Sequence, residues 1–204
     1  MASSTGRRPA PSGRPVFVVT GPSGAGKGTL ERALLERRPD FELAVSATTR
    51  PQRPGEQDGV HYHFLDQAEF DRLVDEEGFL EWVPYVSGHR YGTLRSEIDR
   101  IHARGRVPLL DLEIEGARLV RKKVPGAVTI FVDAPIAELE RRLRERATES
   151  SGEIGERIEL ARRQKETAPE FDHVIENDDL ERATAELLDL VQRELDRAAT
   201  VSAQ

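Results

Sequence analysis

The stretch VFVVTGPSGAGKGTLERALL, Val16 to Leu35, reads as three elements in succession. Val16 to Thr20 is a short apolar, β-branched run, the pattern of a buried strand. Gly21 to Gly26 is a glycine-rich turn. Thr29 to Arg38 then places Leu30, Ala33 and Leu34 on one helical face, and Pro39 stops the helix. A strand, a glycine turn and a helix with lysine near its start are the context of a phosphate-binding loop. Gly21, Gly24 and Gly26 open backbone angles closed to other residues, so that N–H groups face an anion. The helix N-terminus adds its positive end, and Lys27 reaches the β- and γ-phosphates as a point charge. The loop departs from the strict pattern at Gly28, where a hydroxyl usually holds Mg2+. The hydroxyl arrives one place later, at Thr29.

Further along, Val107 to Glu113 and Ala127 to Ala134 read as buried strands, and His173 to Asn177 as a weaker one. Helical patterns separate them at Ile114 to Lys123, Pro135 to Arg146, Glu153 to Thr167 and from about Asp179 to Arg197. Strands alternating with helices predict an α/β fold, a parallel sheet flanked by helices on both faces. Ser46 to Thr93 breaks the alternation. It is rich in Gly, Pro, Tyr and His, with one helix expected at Asp66 to Glu77, and reads as an inserted subdomain.

The bulk numbers narrow the function. At 204 residues the chain suits one domain with insertions. The net charge of -7 argues against general binding to nucleic acid or acidic membranes. There are no cysteines, which excludes disulfides and thiolate metal sites and is compatible with a reducing cytoplasm. No run approaches a membrane-spanning length. Residues 1–13 have Arg7 and Arg8 but no apolar region after them, and read as a flexible tail.

The insert carries SATTRPQRPGEQDGVHYHF, Ser46 to Phe64, and then FLEWVPYVSGHRYGTLRSE, Phe79 to Glu97. Arg50 and Arg53 lie three apart, and their guanidinium forks match phosphate oxygens. Tyr62 and Tyr91 offer phenol donors. Glu81 stands between apolar Leu80 and Trp82, so a carboxylate is set in an apolar strand. Guanine presents an O6 acceptor beside N1–H and N2–H2 donors. If the ligand were guanine, a carboxylate at Glu81 would accept from both donors, and a hydroxyl at Ser46 or Thr93 would donate to O6. Trp82 is read as core.

These segments are similar to the GMP-binding pattern S-x-T-T-R-x-x-R, G-E-x-x-G-x-x-Y, E-W and Y-G-T/S of guanylate kinases. With the loop, LLDLEIEGA (Leu109 to Ala117), RLRERATES (Arg142 to Ser150) and VIENDDL (Val174 to Leu180), the resemblance runs from about residue 16 to about 191. It implies the P-loop NTPase-type fold, with a GMP-binding insert at 46–93, a helical lid at about 142–168 and a core of 14–45, 94–141 and 169–194. Residues 195–204 form the C-terminal end.

The resemblance implies roles residue by residue. Gly21, Pro22, Ser23, Gly24, Ala25, Gly26, Lys27, Gly28, Thr29 and Asn177 bind ATP. Ser46, Arg50, Arg53, Tyr62, Glu81, Tyr91, Thr93, Asp111 and Glu113 bind GMP. Lys27, Arg142, Arg146 and Arg157 are the catalytic cations. The implied metal is Mg2+, held mainly through phosphates and water, with Thr29 as a candidate ligand. Three places depart from the family: Glu113 stands where an aspartate is usual, Glu115 where a glutamine is, and Ala147 where a glycine is. Gly152 and Gly155 are hinge-like positions in the lid. The implied reaction moves the γ-phosphoryl group of ATP to GMP, and to dGMP, giving ADP and a guanosine diphosphate. Two other readings stay open at this level. One is a kinase of the same fold acting on AMP or a ribose bisphosphate. The other is a guanylate-kinase-like module that binds peptides without catalysis.

Overall fold

The computed structural model describes residues 15–85, 88–145 and 151–202. Its first half runs β1 (Phe17–Thr20), α1 (Lys27–Arg37), β2 (Phe41–Leu43), β3 (Ala47–Thr48), β4 (His63–Phe64), α2 (Gln67–Asp75), β5 (Phe79–Pro84) and β6 (Arg90–Leu94). The second half runs α3 (Arg95–Ala103), β7 (Val107–Asp111), α4 (Ile114–Lys123), β8 (Val128–Asp133), α5 (Ile136–Glu145), α6 (Ser151–Lys165), β9 (His173–Glu176) and α7 (Leu180–Ser202).

Five strands form a parallel sheet in the order β2-β7-β1-β8-β9. Alternation along β1 explains its two covered faces. Phe17 and Val19 point into one cluster with Leu30 and Leu34 of α1 and Leu187, Leu190 and Val191 of α7. Val16 and Val18 point the other way, against Ile98 and Ile101 of α3 and Ile114 and Val120 of α4. A strand buried on both sides must be apolar throughout, which is why these runs carry no polar alternation.

The break in the pattern after Ser46 has a structural cause. Residues 47–94 supply a second sheet, of order β4-β3-β6-β5, in which β6 runs antiparallel to both β3 and β5. Phe70 of α2 stacks on Phe79 at 4.4 Å, and Ala47 completes this small core. Trp82 packs edge-on against Phe70 at 6.0 Å, in keeping with its reading as core. Asp66 caps α2 by accepting the Glu69 N–H at 2.7 Å.

Several elements escaped the sequence. β2 has three residues, and β3 and β4 have two each, too few for a period to register. α3 follows β6 with no intervening residue and with no side-chain cap to announce it. β7 ends at Asp111, two residues before the expected Glu113, which instead precedes α4 at its N-cap position. Gly152 and Gly155, expected as hinge-like points, both lie inside the continuous helix α6. A helix tolerates glycine at a cost of about 1 kcal/mol, and the flanking α6 residues are good helix formers.

Two contacts within the fold carry predictions. Gly21 has φ 137°, and a Cβ there would stand 2.1 Å from the Val132 carbonyl oxygen of β8. Gly21→Ala should therefore destabilise the fold by about 3 kcal/mol or more, read as a lower denaturant midpoint. Glu97 of α3 is 4% exposed. Its carboxylate accepts the Val45 N–H at 3.0 Å and the Arg100 guanidinium at 2.7 and 2.9 Å, which anchors the chain just before Ser46. Burial raises its pKa, but the bonds from Arg100 and Val45 outweigh burial and hold it below the ordinary value. A depressed carboxyl contributes stability above its unfolded pKa of about 4.3, lost as pH falls through the lower folded value. Glu97→Gln should cost about 1–3 kcal/mol at pH 7. Thermal melts from pH 7 to 3 should show the gap between variant and wild type closing on the acid side.

Candidate active site

The loop after β1 is shaped by the contacts behind it. Gly26 caps α1 in the left-handed region at φ 88°. A Cβ on Gly26 would stand 2.3 Å from Asn177 Nδ2. Asn177 is 2% exposed and donates from that nitrogen to the Ala25 carbonyl at 2.7 Å. The Arg142 guanidinium donates to the Gly24 and Ala25 carbonyls, each at 3.3 Å, and to the Asn177 carbonyl at 3.1 Å. Its Nε is held by Glu138 at 2.7 Å. Asn177 and Arg142 thus engage loop carbonyls, and in that arrangement they secure the loop's backbone. Neither reach was readable from spacing, since 35 residues separate the two and more than a hundred separate each from the loop.

Lys27 begins α1 and folds back on the loop, donating to the Gly21 carbonyl at 2.8 Å and the Pro22 carbonyl at 3.5 Å. Two carboxylates lie within its electrostatic reach: Asp111, at the end of β7, and Glu31, one turn along α1. Burial pushes the Glu31 carboxyl up to about 8; Asp111 adds to the rise and Lys27 opposes it. Burial also raises Asp111, again against Lys27. Ser23, Gly28 and Thr29 are exposed along the loop and first helical turn.

A cavity of about 280 Å³ opens between the two sheets. Ser46, Tyr62, Glu81, Tyr91, Asp111 and Glu113 all line it, so six of the expected GMP residues converge there. Glu81 is 2% exposed, and Thr93 Oγ1 donates to its Oε1 at 2.9 Å. Burial raises the Glu81 pKa, and the Thr93 bonds oppose the rise. Thr93 was expected as a donor to guanine O6, but its proton is committed to Glu81 here, while Ser46 faces the cavity. Gly116 lets α4 approach Glu81, because a Cβ there would stand 3.1 Å from Glu81 Oε2.

Three phenols form a chain along the cavity wall. Tyr62 and Tyr91 meet edge-on at 5.9 Å, and Tyr91 and Tyr85 at 5.6 Å. Arg50 lies 5.3 Å over the Tyr62 ring and within electrostatic reach of Tyr91. Its guanidinium grips Glu56 in a fork at 2.7 and 3.0 Å. Arg53 meets the same carboxylate through its backbone N–H at 2.8 Å, with its side chain exposed. Both arginines thus converge on one anion, and the anion present is Glu56. The Arg50 pairing, followed by the Arg53 N–H, holds the Glu56 carboxyl at about 2. Glu113 lies near Tyr85 and raises its phenol pKa, and Arg157 of α6 opposes that shift. Arg146 and Ala147 lie outside the described residues.

Glu31 and Tyr85 are residues of this region that sequence reasoning missed, whereas Glu56 and Gly116 stood in the quoted motifs without a role assigned to them. A signal existed for Glu31. It shares a helical face with Lys27 and Leu34, where an apolar side chain would be expected.

A parallel sheet with a glycine loop and lysine at the C-terminal end of its central strand defines a P-loop NTPase-type α/β protein. The guanylate kinase family model matches residues 12–194. Guanylate kinase of Synechococcus sp. (strain CC9311) is 50% identical over 171 residues, covering 83% of this chain and 90% of that protein. A guanylate kinase of Thermus thermophilus is 46% identical over 184 residues, covering 90% and 83%. The crystal structure of guanylate kinase from Anaplasma phagocytophilum superposes with a TM-score of 0.68 at 27% identity, covering 89% and 86%. The chain belongs to the guanylate kinase family. Among the described residues, no helix is long and apolar enough to cross a membrane.

Proposed function

We propose that the protein transfers the γ-phosphoryl group of ATP to GMP, and to dGMP, giving ADP and a guanosine diphosphate. One observation carries this reading: Asp111 lies in the cavity that holds Glu81 and also within reach of Lys27. A nucleoside monophosphate in the cavity therefore abuts the loop that cradles a triphosphate. The acceptor phosphate is already an oxyanion at neutral pH, so the reaction needs no strong base. The work is positioning and charge neutralisation. Glu81 accepts from guanine N1–H and N2–H2, and Ser46 donates to O6. Arg50, Arg53, Tyr62 and Tyr91 hold the acceptor phosphate, with Arg50 turning from Glu56 to the ligand. Lys27 and the loop N–H groups hold the β- and γ-phosphates, and Arg157 and Arg146 neutralise charge on the transferring group. Arg142 supports the loop and its catalysis from behind. Lid and insert closure exclude water, which suppresses ATP hydrolysis.

The residues also fit Mg2+. Among the described residues no three acidic or histidine side chains gather as a closed metal site. Glu31 Oε1 is a buried carboxylate oxygen with no partner, beside Asp111 and Lys27. That donor set suits an ion that keeps its waters and binds chiefly through substrate phosphates. Mg2+ would neutralise charge on the phosphates, and Thr29 and Asp111 are the residues at hand to hold its shell. Participation in purine nucleotide metabolism and a cytoplasmic setting go with ATP and GMP as partners. A coupled assay of ADP formation with GMP, dGMP, AMP, CMP and ribose 1,5-bisphosphate tests the reading. GMP should be the preferred acceptor by orders of magnitude. No turnover with GMP, or equal turnover with AMP, overturns it.

A further inference from the structure

Helix α1 buries a carboxylate that the fold itself does not use. Glu31 is 4% exposed, and its Oε1 is buried without a hydrogen-bond partner. Leaving a carboxylate in that condition costs several kcal/mol, and an apolar side chain would pack there more cheaply. Glu31 follows Lys27 by four residues and so shares its helical face. Its Oε2 reaches back along α1 to within 4.0 Å of where a Cβ on Gly28 would stand, and among the described residues, the adjoining helix backbone and chain neighbours aside, no other group comes within 4 Å of that point. Gly28 is the position at which this kind of loop ordinarily presents a metal-holding hydroxyl. The missing hydroxyl and the unpartnered carboxylate are therefore neighbours, and Asp111 is the next acid within reach.

We propose that Glu31 stands in for the missing hydroxyl at position 28. Its carboxylate accepts hydrogen bonds from the water shell of the divalent cation that accompanies ATP, with Asp111 as the second acceptor. This deepens the kinase reading and rests on it only for the presence of a metal–ATP complex. Carboxylates that hold metal-bound waters typically change metal affinity by about 10- to 100-fold when removed. The proposal also makes a prediction of opposite sign. Without metal, burial keeps the Glu31 carboxyl mostly protonated at neutral pH, so it offers the triphosphate no attraction and its removal should not weaken metal-free nucleotide binding.

The test uses Mn2+ as the probe. Free Mn2+ is followed by electron paramagnetic resonance as the ion is titrated into the full chain saturated with the β,γ-imido analogue of ATP. Glu31→Gln should weaken Mn2+ binding about tenfold. Binding of the analogue in EDTA should be equal or tighter in that variant. Gly28→Ser combined with Glu31→Gln should restore Mn2+ affinity, because the space beside Gly28 is otherwise open. If Glu31→Gln fails to fold, Gly28→Ser and Glu31→Asp, singly and combined, provide the same comparison, with Asp lowering affinity and Gly28→Ser recovering it. Unchanged Mn2+ affinity on altering Glu31, or no recovery with Gly28→Ser, overturns the proposal. Failure of the kinase reading looks different: the unaltered chain forms no ADP from ATP and GMP, whatever its Mn2+ affinity.

Discussion

Lys27→Ala is expected to lower kcat for GDP formation by about 10²- to 10³-fold while leaving a folded protein. That is the usual cost of deleting one preorganised donor to charge that develops in a transition state. Three features make Lys27 such a donor. It opens the helix whose N-terminus faces the loop, so its charge adds to the helix dipole. Among the described residues its ammonium hydrogen-bonds to loop carbonyls at 2.8 and 3.5 Å, and these exchange readily for phosphate oxygens. Two buried carboxyls, Asp111 and Glu31, feel its charge, which opposes the rise that burial gives each of them. Stability should change little, because Asn177 and Arg142 hold the loop independently through the Gly24 and Ala25 carbonyls. Steady-state kinetics with circular dichroism on the same sample separates the two effects. A folded variant with near-normal kcat removes Lys27 from the role.

Glu81→Gln should have the second largest effect, a fall of about 10²-fold in kcat/KM for GMP. The buried carboxylate meets two donors of guanine, N1–H and N2–H2. An amide turns one acceptor into a donor, so one hydrogen bond becomes a clash between like groups. A site built for hydrogen bonds discriminates strongly for this reason. The Thr93 bond sharpens the prediction. Thr93 Oγ1 donates to Oε1 at 2.9 Å, so it fixes the carboxylate's orientation and leaves Oε2 and the second lone pair of Oε1 for the ligand. The substituted amide would keep the Thr93 bond through its own oxygen and present its NH2 group to guanine. Measuring GMP against AMP should show the preference shrinking by the same factor. A preserved preference would mean that another group reads the base.

Much of the fold was legible because its signals are local. Val16 to Thr29 holds strand, turn and helix start in consecutive residues, and the central strands are apolar runs because both sheet faces are covered. The short strands β2 to β4 were not legible, since their pairing partners lie elsewhere in the chain. In the candidate site, Ser46, Tyr62, Glu81, Tyr91, Asp111 and Glu113 were all named from the chain and do share one cavity. Glu56 stood in the G-E-x-x-G pattern but was given no role, because nothing along the chain shows what its carboxylate meets. Its role appears only when the loop folds it onto Arg50.

Sequence alone therefore determined the glycine loop, the alternating α/β order and the set of side chains proposed to read a guanine nucleotide. Each depends on neighbours in the chain or on the chemistry of single residues. Tertiary structure decided which of those groups are already committed. Thr93 gives its proton to Glu81, Arg50 is held by Glu56, and Arg142 grips the loop's carbonyls. It also decided that Glu31 is buried without a partner beside Gly28. Hydrogen bonds and burial depend on distances across the fold, and residue spacing along the chain does not contain them.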